Sequence, residues 1–175
     1  LIVSACGSPD YWPLSKLIDR LSLAKVNLGL TVEARIVLEC VKRLNTLAET
    51  FRKTGGVHVA ALYSVSGELL TFSEDVGRHN AVDKVIGAAV SNNLGFGDSF
   101  LALSGRLSGD IVLKSARMRI PLVASLAAAI DSGVRVAQRT GITLVGFVRG
   151  NRMNVYTYPG RIVYTSQNPA LTDSF

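Results

Sequence analysis

The sequence reads Ser73-Glu74-Asp75-Val76-Gly77-Arg78-His79-Asn80-Ala81-Val82-Asp83-Lys84 where two apolar, strand-like runs give way to a helical pattern. Eight of these twelve residues carry charged or hydrogen-bonding side chains, although the segments on both sides must be buried. In α/β proteins, loops and helix N-termini at such a junction present free N–H groups to ligands. We therefore predict that this junction belongs to a binding site.

The composition is that of one globular domain. The chain has 175 residues, 48% hydrophobic and 18% charged, which is enough to bury a full core and favours a sheet covered on both faces. No apolar run is long enough to cross a bilayer, and residues 1–6 lack the features of a signal peptide. Two cysteines, Cys6 and Cys40, are too few for a disulfide framework, so we expect a cytoplasmic protein. The net charge of +6 favours an anionic partner without identifying it.

Hydrophobic periodicity predicts the elements around the junction. A long helix is expected from Thr31, a candidate N-cap, to Thr54, with an apolar stripe that includes Cys40. Further elements are expected as a strand hairpin at 57–64 and 68–72, a helix from the junction to about 92, a strand at 100–103, a helix after Ser108, a strand at 120–124, a helix at 127–139, and strands at 142–148 and 153–158. This alternation predicts a three-layer α/β sandwich with a mixed sheet.

The same pattern suggests how the chain is divided. Residues 1–31 are expected to form a loop and linker around Cys6, residues 32–165 the α/β domain, and residues 166–175 a tail. Cys40 lies in the helical stripe and is expected to be a buried, small hydrophobic residue. Cys6 lies next to Gly7, outside any apolar periodicity, so its thiol could accept and hand on sulfur or could be incidental.

Three polar clusters follow predicted strands, at 74–84, 104–108 and 149–152. Loops at the carboxyl ends of strands line the ligand crevice of an open α/β sheet. The clusters supply the arginines Arg78, Arg106, Arg149 and Arg152, and guanidinium groups bind phosphate oxygens with two hydrogen bonds each. A pyrophosphate site is one interpretation, and solvated or helix-capping arginines are the other.

The two histidines do not indicate a metal centre. His79 could act as a base, and His58 lies in a strand, where a histidine more often satisfies a buried partner. A zinc site would need further Cys or His residues at ligand spacing, and neither cysteine has one nearby. We therefore predict no metal ligand in the chain itself.

The motifs resemble those of the FdhD/NarQ family of formate dehydrogenase accessory proteins. The resemblance covers residues 54–58, 74–84, 104–106 and 146–157 in the family's order. It implies a fold similar to cytidine deaminase. It also implies a sulfurtransferase-type carrier that takes a persulfide from a cysteine desulfurase. Its acceptor would be the molybdenum (or tungsten) bis-guanine-dinucleotide pterin cofactor, which it sulfurates before that cofactor enters formate dehydrogenase.

The resemblance also implies residue roles. Cys6 matches the first cysteine of the family's loop, and Pro9 stands where a second cysteine is expected. The segment Phe147, Val148, Arg149, Gly150, Asn151 and Arg152 matches the part that binds the guanine dinucleotide, for which GDP would be a mimic. The remaining site residues are then Arg78, His79, Asn80, Ser104, Gly105 and Arg106. A homodimer is expected, with no nucleic-acid or membrane partner.

Two other functions stay open at this point. One is a binding protein that escorts a guanine-nucleotide cofactor without sulfur chemistry. The other is a deaminase-like nucleotide hydrolase, which would need a metal-bound water and a carboxylate base.

Overall fold

The computed structural model describes residues 25–26 and 29–164. The strands in chain order are β1 (Val32–Glu33), β2 (His58–Ser64), β3 (Leu69–Asp75), β4 (Ser99–Leu103), β5 (Leu122–Ser125), β6 (Thr143–Arg149), β7 (Arg152–Thr157) and β8 (Ile162–Val163). The helices are α1 (Ala34–Leu47), α2 (Glu49–Thr54), α3 (Arg78–Ser91), α4 (Gly109–Arg117) and α5 (Asp131–Thr140), with a 3₁₀ turn at Pro159–Arg161.

Strands β2 to β7 form one mixed sheet in the order β3-β2-β4-β5-β6-β7. The β4–β5 and β5–β6 pairs are parallel, whereas β3, β2 and β7 join through antiparallel pairs. Helices connect the parallel strands because a crossover between parallel neighbours needs a long connection. The short strands β1 and β8 make a separate parallel pair.

Helices cover both faces of this sheet. On one face α1 packs Val37, Val41 and Leu44 against sheet residues such as Phe100 and Ala102. On the other face α3, α4 and α5 pack residues such as Val85, Ile111 and Val136 against the opposite side of the same strands. All five residues of β4 are buried, as expected of a central strand between two layers. The predicted three-layer sandwich with a mixed sheet is confirmed.

The predicted helix 31–54 is wrong at its start and in its middle. Val32 and Glu33 pair with Ile162 and Val163 as a strand, so the first helix begins at Ala34 rather than after a Thr31 cap. The helix breaks at Ala48, whose φ of −92° and ψ of 91° are extended. Pairing with β8 is a long-range contact that helical periodicity does not reveal.

The predicted helix 127–139 also begins too early. Residues 127–130 are not helical, and their backbone groups bond to the loop before α4: Leu107 N donates to Ala128 O, and Ile130 N donates to Leu107 O. The helix therefore starts at Asp131. Strand β3 in turn extends to Asp75, so the first three residues of the opening motif belong to the sheet.

Residues 25–26, the first that the structure describes, lie at the end of the sheet where β6 starts. Val26 N donates to Thr140 O over 2.7 Å, and Arg161 Nη2 donates to Val26 O over 2.7 Å. The predicted Cys6 loop and the predicted tail 166–175 lie outside the described residues, so the division into domains stays a prediction.

Candidate functional site

The three predicted polar clusters meet at one end of the sheet, where the parallel strands terminate; we call this end the sheet edge. Strands β4, β5 and β6 end there because they are parallel, and β3 ends there because it pairs with β2 in the register His58↔Asp75. Strand β7 starts at the same edge, opposite the end of β6, in the register Arg149↔Arg152. The strand order thus brings together residues that are far apart in the sequence.

At the middle of this edge, the lack of a side chain at Gly105 allows Arg78 and His58 to pack closely against the loop. A Cβ atom at Gly105 would lie 2.9 Å from Arg78 Cβ and 3.4 Å from His58 Nδ1, so only glycine allows the two side chains this close to the loop. Ser104 Oγ accepts a hydrogen bond from Val59 N over 3.1 Å and lies 3.3 Å from His58 Nδ1. We call Arg78, His58, Ser104 and Gly105 the Arg78 group.

Both histidines at the edge have a lowered pKa. For His58 the causes are burial, then the positive charges of Arg78 and Arg106. For His79, burial comes first, followed by Arg78 and Lys114, with Asp110 and Asp83 acting in the opposite direction. Neutral imidazoles can act here as hydrogen-bonding groups without adding positive charge. His79 Nε2 lies 3.2 Å from Ser108 Oγ. Ser108, the residue before α4, makes no side-chain cap bond to that helix.

The acidic residues of the opening motif stabilise the loop itself. Glu74 accepts hydrogen bonds from Phe51 N over 2.6 Å and Thr50 N over 3.3 Å, and so satisfies the start of α2. Asp75 Oδ1 accepts hydrogen bonds from Gly77 N over 2.9 Å and from Asn80 Nδ2 over 3.2 Å. The predicted ligand residue Asn80 is exposed, with its amide nitrogen engaged by Asp75.

We expect Asp75 to make the stability of the folded protein depend on pH in acidic solution. Its bond to Lys84, followed by those to Gly77 and Asn80, lowers its pKa to about 2 from 3.8. Its stabilising contribution is therefore full above pH ~4 and is lost as the pH falls from ~4 towards ~2, because the unfolded chain takes up the proton first. We expect Asp75→Asn to lower the urea midpoint at pH 7 and to flatten its decline over this range. Glu39→Gln, which removes the exposed pair with Arg35, is the matched control and should change little. An unaltered acid profile in Asp75→Asn would contradict this assignment.

A cleft opens on the α1–α2 face of the same edge. Its larger part, about 400 Å³, is lined by Asn45, Phe51, Ser104, Leu126, Ala127 and Arg149. A smaller part of about 220 Å³ is lined by Leu38, Lys42, Asn45, Leu126, Val148, Arg149 and Gly150. We call the two together the sheet-edge cleft. Sequence reasoning missed the residues that α1 and α2 contribute, which are Leu38, Lys42, Asn45 and Phe51. The sequence feature that could have indicated this wall is the polar pair Lys42 and Asn45, three positions apart beside the apolar stripe of α1.

The β6–β7 turn carries a strained backbone beside the cleft. Phe147 has a φ of 52°, unfavourable for a residue with a Cβ, and its ring is partly exposed. Its N–H donates to Ala127 O over 3.0 Å, which holds the irregular segment between Gly146 and Arg149 in place. Gly150 also has a positive φ, 58°, and it occupies the first position of the two-residue turn, where such a backbone is needed. Arg149, Asn151 and Arg152 are all exposed at this turn.

The structure separates the predicted residues into two regions. Arg78, His79 and Asn80 lie at the start of α3, and Gly105, in the loop after β4, packs against Arg78. Val148, Arg149 and Gly150 line the sheet-edge cleft, and Ser104 belongs to both regions. Arg106 is exposed and close enough to His58 to affect its pKa. Cys6 lies outside the described residues.

Within the described ranges, no three His, Cys, Asp or Glu side chains are grouped as metal ligands. None of the helices in that part of the chain is long and apolar enough to span a membrane.

Comparison with known proteins gives a consistent result. The model of the FdhD/NarQ family matches residues 1–163. The sulfur carrier protein FdhD of Methanothermobacter thermautotrophicus is 46% identical over 138 residues, 79% of this chain and 55% of that protein. The protein of the same name from Thermoplasma acidophilum is 38% identical over 163 residues, 93% of this chain and 57% of that protein.

A solved structure agrees with the fold. A candidate formate dehydrogenase accessory protein from Desulfotalea psychrophila superposes with a TM-score of 0.72 at 34% identity, covering 78% of this chain and 61% of that chain. The chain spans about half the length of the curated relatives it matches.

Proposed function

The chain belongs to the FdhD/NarQ family, and from this premise we propose that it is a sulfur carrier serving formate dehydrogenase. Its substrates would be a persulfide on a cysteine desulfurase and the molybdenum (or tungsten) bis-guanine-dinucleotide cofactor, both met in the cytoplasm. Relatives named sulfur carrier protein FdhD support this role. We further propose that the carrier works as a homodimer.

In the proposed loading step, the Cys6 thiolate attacks the terminal sulfur of the desulfurase persulfide. The sulfur–sulfur bond of the donor breaks, the donor thiolate leaves, and Cys6 becomes the persulfide with no net oxidation. Delivery of that sulfur as sulfide requires two electrons. A second thiol in the same loop could supply them, but Pro9 cannot, so the electrons come from an external thiol or from the metal that accepts the sulfur.

The gathering of arginines at one sheet edge is the observation that carries the cofactor half of the proposal. Arg78, Arg106, Arg149 and Arg152 come from three separate loops, and the strand order brings those loops together. A cofactor with two dinucleotide arms carries several phosphate charges, and guanidinium groups bind such charges bidentately. Ser104, Gly105, His79, Asn80 and the 147–152 turn complete the proposed site.

Chain length allows Cys6 to reach this edge from its anchor. Lys25, nineteen residues after Cys6, lies beside Gly141 at the opposite edge of the sheet. A strand of seven residues such as β6 spans roughly 23 Å. Nineteen residues of chain can span up to about 60 Å. This reach supports the proposed transfer within one chain.

Mass spectrometry tests the loading step directly. The purified protein is incubated with a cysteine desulfurase and cysteine, and its peptides are analysed without reduction. We expect a gain of one sulfur atom on the peptide that contains Cys6, removable by dithiothreitol. No gain on that peptide, or a gain on the Cys40 peptide instead, would overturn the assignment.

A further inference from the structure

We infer that the end of the sheet opposite the sheet edge is a docking surface for an acidic protein, and that this protein is the persulfide donor. The inference rests on the proposed function and deepens it, because it states where the desulfurase meets this chain. The surface consists of exposed cations around the starts of β5 and β6. We call it the basic end and define it by Lys25, Arg117, Arg119 and Arg139.

The connections of the sheet bring these cations together. Helix α4 leads to the start of β5 and helix α5 leads to the start of β6, so the last turns of both helices lie at that end of the sheet. Thr143 N donates to Pro121 O over 2.9 Å, which fixes the two strand starts side by side. Arg117 and Arg139, in those last turns, are therefore neighbours on one face of the sheet.

The segments that form the basic end supply no carboxylate there. From β4 to the end of the described chain, the only carboxylates are those of Asp110 and Asp131, which lie in the first turns of α4 and α5 at the sheet edge. Lys25, Arg117 and Arg119 form no ion pair with any described residue. Exposed cations without such partners create a local positive potential that attracts an acidic surface.

Arg119 occupies a backbone position that favours glycine. Its φ is 58°, in the left-handed region. Arg119 N donates to Ala116 O over 3.0 Å and Ile120 N donates to Ser115 O over 2.9 Å, the two bonds of a Schellman motif, whose left-handed residue is most often glycine. Helix α5 follows that preference with Gly141, whose φ is 77°. An arginine at this position costs stability, so its cation points to a role other than folding.

Helix dipoles account for only part of the charge. Arg117 and Arg139 lie in the last turns of their helices, where a cation interacts favourably with the free carbonyl groups. Lys25 belongs to no helix and comes from a distant part of the sequence. The dipoles therefore do not explain why a further cation is added to the same surface.

The chain that leads back to Cys6 joins the described structure at the basic end. Val26 is 2% exposed, its N–H donates to Thr140 O, and its carbonyl accepts from Arg161 Nη2, both over 2.7 Å. A donor bound at the basic end therefore meets this chain where it is fixed. The proposed cofactor site lies at the other end of β6, roughly 23 Å away, so the donor and the cofactor do not compete for one surface.

The desulfurase is the partner that fits this location. The proposed loading step requires its persulfide to reach Cys6, and a complementary acidic surface on the donor speeds their encounter by electrostatic steering. The basic end thus serves sulfur loading, and the sheet edge serves delivery.

Biolayer interferometry between the full chain and a cysteine desulfurase tests this inference. We expect Arg119→Glu to weaken binding roughly fivefold, chiefly by slowing association, and raised salt to remove most of the difference. The matched control is Arg52→Glu, which makes the same charge change at an exposed position in α2, and should stay within about twofold of the wild type.

Arg119→Gly separates docking from folding. It removes the cation and relieves the left-handed backbone, so we expect a higher urea midpoint together with roughly threefold weaker binding to the desulfurase. A variant that loses both stability and binding would show that Arg119 acts through the fold, and would overturn its role in docking.

Sulfur loading of Cys6, followed by mass, distinguishes this inference from the proposed function. Arg119→Glu should slow loading from the desulfurase but not from cysteine persulfide, which has no protein surface. Equal slowing with both donors overturns the docking assignment. So does wild-type chain that fails to bind the desulfurase, Arg119→Glu binding like Arg52→Glu, or equally tight binding of a DNA duplex. If wild-type Cys6 takes sulfur from neither donor, the sulfur-carrier proposal fails, and the binding measurements still decide the docking surface.

Discussion

Replacing Gly133 with alanine is expected to lower the free energy of unfolding by about 3 kcal/mol, the upper end of the usual cost of overpacking. Gly133 is buried in the first turn of α5, where that helix crosses the loop before α4. A Cβ atom there would lie 2.3 Å from Leu107 O and 3.1 Å from Leu107 C. Both contacts are with backbone, so a change of rotamer cannot relieve them and the helix or the loop must shift.

The loop that must shift leads into the candidate site. Leu107 O accepts the hydrogen bond from Ile130 N that positions the start of α5, and the next residue, Ser108, contacts His79. We therefore expect Gly133→Ala to weaken GDP binding as well as stability. Urea unfolding measures the change in stability, and calorimetric titration of the folded fraction measures the change in GDP affinity.

Gly87 provides the matched control for Gly133. It is an exposed glycine inside α3, and a Cβ atom there would meet nothing within 4 Å. Gly87→Ala should raise stability by about 0.5–1 kcal/mol, because alanine has the higher helix propensity. If both alanine variants change stability by similar amounts, the close approach of α5 to Leu107 is not the reason for glycine at 133.

Local patterns predicted most of the elements, and their alternation predicted the layers. The hairpin, the helix after the junction and the buried strand β4 follow from periodicity and turn residues, since each is defined by one continuous stretch of the sequence. The errors at Val32 and at 127–130 have another cause. There the backbone hydrogen bonds go to partners distant in sequence, Ile162 and Leu107, which no local window contains.

The same distinction between local patterns and distant contacts applies to the candidate site. Clusters at strand ends were identifiable because a parallel order places those ends together. The role of Glu74 in satisfying the start of α2 and the wall formed by Lys42 and Asn45 depend on how α1 and α2 lie over the sheet. That packing depends on the break at Ala48, where the sequence has neither a glycine nor a proline to indicate the end of a helix.

Replacing Cys6 with serine is expected to lower activation of formate dehydrogenase by about a hundredfold or more, since a hydroxyl cannot carry a persulfide. The measurement is formate dehydrogenase activity in cells that lack their own accessory protein and express this chain or its variant. GDP binding by Cys6→Ser should stay within about twofold of the wild type, because the proposed nucleotide contacts do not involve the thiol.

Cys40→Ala is the control that tells one cysteine from the other. Cys40 is 1% exposed, and burial raises its pKa to about 11, so its thiol is protonated and unreactive at neutral pH. Its Sγ lies 3.7 Å from Gly67 O in the β2–β3 turn, at the edge of the sheet opposite the arginines. Cys40→Ala should therefore cost about 1 kcal/mol of stability and keep activation. If Cys6→Ser activates the enzyme normally, the chain acts on the cofactor without a persulfide of its own, and an escort role for the arginine-lined edge becomes the better account.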